Sequence, residues 1–162
     1  MVSRWLTYCV VFALIGLTAC QAGGGHYLGA LADRAGVIAI APPLAGPQQW
    51  QDTHVIVEST LEQDERQYRF SGEVFFTFHS QAMYSRVTNA TLILFLLDEA
   101  DRVVAYQTLS RFMWQSPEER TPFSLTLDRV PGVVAYTFGY EATFVDDESV
   151  SYRQWSFPRT SR

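Results

Sequence analysis

The residues able to do chemistry in this chain of 162 amino acids are few and scattered. Its histidines, His26, His54 and His79, stand far apart, and no two have the spacing that puts imidazoles on one metal ion. His79 precedes Ser80, but no Gly-x-Ser-x-Gly turn is present to raise a serine as a nucleophile. Acids cluster at Asp98, Glu99 and Asp101 and again at Asp146, Asp147 and Glu148. Calcium takes oxygens from such groups, yet neither cluster follows the Asp-x-Asp-x-Asp-Gly order of a calcium loop. Polar turns are the simpler expectation. Two acids brought together by folding could form a glycosidase pair, but a small domain has little room for the groove such enzymes use. No lysine occurs, which excludes Schiff-base chemistry and a phosphate-loop lysine. These residues predict no catalytic set, no metal site and no enzyme.

The two cysteines are Cys9 and Cys20. Met1 to Arg4 is short and carries one positive charge, and Trp5 to Leu17 is almost wholly apolar. Small residues then lead into Leu17-Thr18-Ala19-Cys20. A charged start, an apolar stretch and a small-residue cut site are the parts of a secretory signal peptide. The apolar run is short for a bilayer span, which needs roughly 20 apolar residues. Leu17-Thr18-Ala19-Cys20 resembles the lipobox of bacterial lipoproteins. That resemblance implies cleavage before Cys20, diacylglycerol on its thiol and an acyl chain, palmitate for example, on the new amino group. These lipids are the only added groups expected, and no dissociable cofactor is implied. The resemblance covers the first twenty or so residues. Gln21, rather than aspartate, follows the cysteine. In a cell with two membranes this implies the outer membrane, facing the periplasm, more than the inner one. Cys9 lies inside the apolar run and would leave with the signal peptide, so no disulfide remains possible. The fold must then stand on packing, in a compartment where disulfides are permitted.

The formal net charge is −5. Loss of residues 1–19 removes Arg4 and no acid, giving about −6. An acidic chain does not point to a nucleic-acid partner. Aromatic residues make up 14% of the sequence, enough for a packed core rather than a disordered tail.

Three segments are expected: a signal peptide over 1–19, a lipid-anchored tether over 20–50 and a β-sandwich over 51–158. Glycines follow Cys20, and then Gly36 to Leu44 turns apolar. A tether is normally polar, so this stretch should dock, either on its own domain as a first strand or on a partner or membrane. From Trp50 the texture is β. Between Gln67 and His79, Tyr68, Phe70, Val74, Phe76 and Phe78 alternate with polar residues, the period of a half-buried strand. Thr91 to Leu97 is continuously apolar, as in a central strand covered on both sides. Asp98 to Asp101 turns the chain into a strand from Arg102 to Thr108. Further strands are predicted over Thr53–Thr60, Thr121–Leu127, Val133–Val145 and Val150–Phe157, with no sustained helical period after Trp50. About seven short strands argue for a single antiparallel, immunoglobulin-like sandwich, with a small closed barrel as the alternative. Leu94 to Asp98, Val103 to Ala105 and Pro122 to Leu125 resemble FxLYD-type bacterial β-sandwich modules, which are extracytoplasmic binding or scaffold domains. Here Leu94 replaces that pattern's Phe and Leu97 its Tyr.

Candidate partner contacts are the apolar stretch Val37, Ile38, Ile40 and Leu44, the group Phe112, Met113 and Trp114, and the terminal Trp155 and Phe157. Interfaces enrich Trp, Phe, Met and Arg, and a terminal strand is often an edge open to pairing. Alternation can bury Phe112 and Trp114 together and leave Met113 outside. The leading expectation is a structural or interaction lipoprotein, held to a membrane by its lipid and binding another envelope protein. Two others are a carrier of a lipid or small hydrophobic ligand and a small hydrolase. A carrier needs an empty apolar cavity, and a hydrolase needs acids or histidines converging in a cleft.

Overall fold

A computed structural model describes residues 26–40 and 46–159. The expected signal peptide over 1–19, Cys20 and Leu44 lie outside these residues. The described chain forms nine strands and one short α-helix: β1 (Ile38–Ala39), β2 (Gln48–Gln51), β3 (Val55–Gln63), β4 (Gln67–Phe76), α1 (Phe78–Met83), β5 (Arg86–Leu97), β6 (Val103–Trp114), β7 (Arg120–Asp128), β8 (Ala135–Val145) and β9 (Ser151–Ser156). Two antiparallel sheets pack face to face as a β-sandwich. One runs β2-β3-β4-β7; in the other β8 and β6 flank β5, and β1 and β9 both pair with β8.

Alternation builds the first sheet. Val55, Val57 and Leu61 of β3 and Tyr68, Phe70, Val74 and Phe76 of β4 are buried, while Glu58, Glu62 and Arg69 face water. β5 is different because it is apolar on both faces. Leu92, Leu94 and Leu96 point into the sandwich, and Ile93, Phe95 and Leu97 point out of it. The outward set is covered by the N-terminal segment, through Tyr27, Ala30, Ala32 and Val37, and by Phe157 from the other end of the chain. Tyr27 sits with its ring centroid 5.2 Å from Phe95, 5.1 Å from Tyr106 and 5.1 Å from Phe157. Each such pair contributes about 0.5–1.5 kcal/mol beyond area burial.

Backbone bonds fix this cover in place. Gly29 N–H donates to the Val103 carbonyl, Val103 N–H donates to Ala30, and Leu31 and Arg159 exchange bonds in both directions. A 3-10 turn over Arg34–Gly36 follows, capped by the Asp33 carboxylate, which accepts from the Ala35 N–H. Thr137 Oγ1 then donates to the Gly36 carbonyl at 2.7 Å.

The structure departs from the sequence reading at three places. The sandwich has nine strands rather than about seven, because β1 and β2 come from the stretch assigned to the tether. The boundary at residue 51 therefore falls inside the sandwich. β2 is a Gln-Gln-Trp-Gln edge strand carrying one inward side chain, Trp50, too short a pattern to read as alternation. β1 is two residues long and pairs Ile38 with Tyr136. Phe78 is not on the buried face of a strand: it opens α1 and is 86% exposed. The cause is Thr77, whose side chain accepts from the Ser80 N–H and caps a helix where alternation alone continues the strand.

Gly139 shows how closely β9 approaches β8. A Cβ there would lie 2.5 Å from the Ser156 carbonyl and 2.8 Å from the Phe95 ring. Gly139→Ala should therefore lower stability by roughly 1–3 kcal/mol, the usual cost of overpacking. Thermal unfolding measures the loss, and hydrogen exchange should place it first in the β9 amides paired with Tyr140–Val145.

Candidate interaction surface

Two assemblies outside the apolar core could carry function: a polar knot at one end of the sandwich and an open groove beside β9. The knot gathers residues that look catalytic. His54 Nδ1 lies 3.0 Å from Ser80 Oγ, and Thr77 Oγ1 lies 3.2 Å from the same oxygen. Tyr140 donates its hydroxyl proton to Asp52 Oδ1 at 2.9 Å, and the His54 N–H donates to that same oxygen. The sequence gives no sign of the His54–Ser80 contact, since the two residues are 26 positions apart. Ser80 is fully buried, at 0% exposure. What the knot can do is join the β2–β3 turn to α1.

Burial of the Tyr140 phenol, with the Asp52 charge and hydrogen bond adding to it, raises its pKa far above the usual tyrosine value. Burial also holds the His54 imidazole below the ordinary histidine value of 6.5; Asp52 opposes this shift and His79 adds to it. Among the described residues no group of three or more His, Cys, Asp or Glu side chains could hold a metal ion.

The acid clusters close turns. Asp98 Oδ1 accepts from the N–H groups of Ala100 and Arg102, and Asp146 Oδ1 accepts from the Val150 N–H. Each turn then passes through a left-handed residue, Asp101 at φ 58° and Ser149 at φ 66°. Such a residue completes the turn of a hairpin with a bulge.

The predicted contact residues separate cleanly. Val37 packs in the outer cluster, and Ile38 and Ile40 pack against the main core, all three on their own domain. That is the first of the two alternatives for this stretch, and all three side chains stay half-buried there. Trp114 is likewise unavailable. It is buried over Phe76, with ring centroids 4.7 Å apart, and its Nε1 donates to Thr121 Oγ1 at 2.8 Å. The reason is the alternation itself, which turns Trp114 and Phe112 inward; Phe112 is partly buried against the core. Phe157 is half-buried beside Tyr27. Met113 and Trp155 remain outside, each 64% exposed.

Strand register places both on the outer face of the same sheet. Arg111 pairs with Thr91, Thr91 with Glu141 and Glu141 with Trp155, which makes one row across β6, β5, β8 and β9. Met113 lies two residues beyond Arg111 on the far edge. Adjacent strands are spaced about 4.8 Å, so the two exposed side chains stand roughly 15 Å apart.

Trp155 lies in an open groove of about 750 Å³ lined by His26, Tyr27, Glu141, Arg153, Phe157, Pro158 and Arg159. A second opening of about 770 Å³ continues past Trp155 to Leu31, Asp33, Arg34 and Asp101. Arg153 pairs with Glu141, and Arg34 pairs with Asp101 at 3.0 Å. Burial raises the Tyr27 pKa, with Glu141 and Tyr106 contributing. The groove was not foreseen as a unit, because its two walls come from opposite ends of the chain. In comparisons with protein-family models, curated proteins and solved structures, nothing matches the chain.

The His54 shift gives a signed expectation. The fold favours the neutral ring, so the unfolded chain takes up the proton first. The stabilisation is present above about pH 6.5 and fades as pH falls below it. His54→Asn keeps a polar group opposite Ser80 and should flatten the difference in unfolding midpoint between about pH 7.5 and about pH 5.5. An undiminished pH difference in the variant would assign the titration to another group.

Proposed function

We propose that this chain is a lipid-anchored lipoprotein of the bacterial envelope whose β-sandwich is an interaction module and not an enzyme. The observation that carries the reading is Leu17-Thr18-Ala19-Cys20 at the end of a short apolar run behind Arg4. In this reading Cys20 holds the diacylglycerol and acyl groups, and the domain faces the periplasm from the outer membrane. The protein partner is another envelope protein, and its contact is the exposed edge of the five-stranded sheet at Met113.

Two features support an interaction role. Met113 and Trp155 are large apolar side chains left on one sheet face, next to arginines, the composition interfaces favour. The serine that meets a histidine is fully buried. A carrier would need an apolar cavity, whereas Trp114, Tyr68, Tyr136, Phe70 and Phe144 fill the space between the sheets.

Cys20→Ala tests the anchor. Metabolic labelling with a fatty acid should mark the wild-type protein and leave the variant unmarked and uncleaved; equal labelling would overturn the reading. Met113→Asp tests the partner. Its loss of co-purifying envelope proteins from solubilised membranes, with unfolding unchanged, is the expected result. An unaltered set would remove Met113 from the contact.

A further inference from the structure

The groove beside β9 lies where the described chain begins. His26 and Tyr27 line it together with Trp155, and their rings meet at 4.9 Å. Six residue steps separate Cys20 from His26, which at 3.3–3.6 Å per residue reach roughly 20 Å at full extension. A strand of β5's length, 12 residues, measures roughly 40 Å. A lipid on Cys20 therefore cannot leave the domain free to present any face to the bilayer. The face holding His26 must stay close to it.

That face is built differently from the rest of the surface. Trp155 and Leu31 are exposed there at 64% and 47%. Leu31 and Trp155 line the same opening. The two openings carry Arg34, Arg153 and Arg159 against Asp33, Asp101 and Glu141, a local balance of zero. The whole chain carries −5. Two of those acids are held in ion pairs with arginines, Asp33 caps the 3-10 turn, and Arg159 has no ion pair among the described residues. An acidic protein thus turns its locally neutral, arginine-bearing and apolar side toward the site of its own anchor. Tryptophan and arginine are the side chains suited to the boundary between headgroups and acyl chains.

We infer that the patch formed by Leu31 and Trp155, rimmed by Arg153 and Arg159, rests on the headgroup region of the bilayer that holds the Cys20 lipid. This inference rests on the lipoprotein reading of Cys20. It assigns Trp155 to the membrane and leaves Met113, on the opposite edge of the sheet, for the protein partner.

Full-length protein purified from membranes and reconstituted in phosphatidylethanolamine–phosphatidylglycerol vesicles tests it. Trp50 and Trp114 are buried, so Trp155 is the exposed tryptophan of the described chain. Lipids brominated near the glycerol backbone should quench the wild-type fluorescence. Trp155→Phe should lose most of that quenching, and Leu31→Asp should reduce it. Mass spectrometry of the same samples reads the lipid on Cys20. Lipidated protein that is quenched equally with and without Trp155 would overturn the inference and leave the anchor standing. Unlipidated Cys20 would overturn both. A Trp155 emission shift caused by soluble cell-wall glycan fragments, with no quenching by brominated vesicles, would give the surface to a sugar and overturn the membrane assignment.

Discussion

A central strand that is apolar on both faces must be covered twice, and β5 sets that condition for the whole molecule. Its inward leucines are satisfied by the opposite sheet, as in any sandwich. Its outward Ile93, Phe95 and Leu97 have no second sheet to meet. Left open, they would expose a patch of the kind monomeric proteins rarely show. The described chain closes it with its two terminal segments: Tyr27 to Val37 from one side and Phe157 from the other. The reciprocal bonds between Leu31 and Arg159 follow from that closure, as does the groove beside Trp155. With two segments distant in sequence held over one strand, the cost in chain entropy is met by aromatic packing and backbone bonds rather than by a disulfide.

The same economy governs the polar residues. At each of two hairpin ends one carboxylate of the acidic cluster accepts backbone N–H groups that the turn leaves without partners. Asp98 and Asp146 do this with matching geometry, each turn ending at a left-handed residue. Asp64 repeats the device between β3 and β4, accepting from Arg66 and Gln67; those two backbone bonds lower its pKa. The acidity of the chain is in good part an investment in tight turns between long strands.

How much of this could be read from sequence depended on the range of the interaction. Period-two alternation in β4 and β7, and the unbroken apolar run of β5, are local signals and led to the sandwich. The inward pair Phe112 and Trp114, with Met113 outside, followed from the same rule. Helix α1 was missed because one capping side chain, Thr77, outweighs the alternation that continues through Phe78. β1 falls in the stretch expected to dock either as a first strand or on a partner, and β2 was missed because a four-residue edge strand carries no periodic pattern; β8 and β3 define the two by pairing. The groove and the His54–Ser80 contact were illegible for a further reason. Each joins residues that no local pattern links, and only the register of the sheets brings them within reach.

The two exposed apolar residues on the outer face have different standing in the fold. Met113 is outside because its neighbours on β6 are inside; any side chain at that position would face water. Trp155 is on a strand whose residues are all exposed or half-exposed, so no alternation with a buried core dictates a large apolar side chain at that position. Nothing in the packing of β9 requires a residue of that size there. Phe157, two positions on, already completes the cover over Phe95. A large apolar side chain that the core does not need, beside the point where the described chain begins, is best accounted for by what lies outside the domain. The closure of β5 gathers both ends of the described chain on one face, and an anchor joined to one of those ends would turn that face toward its own surface.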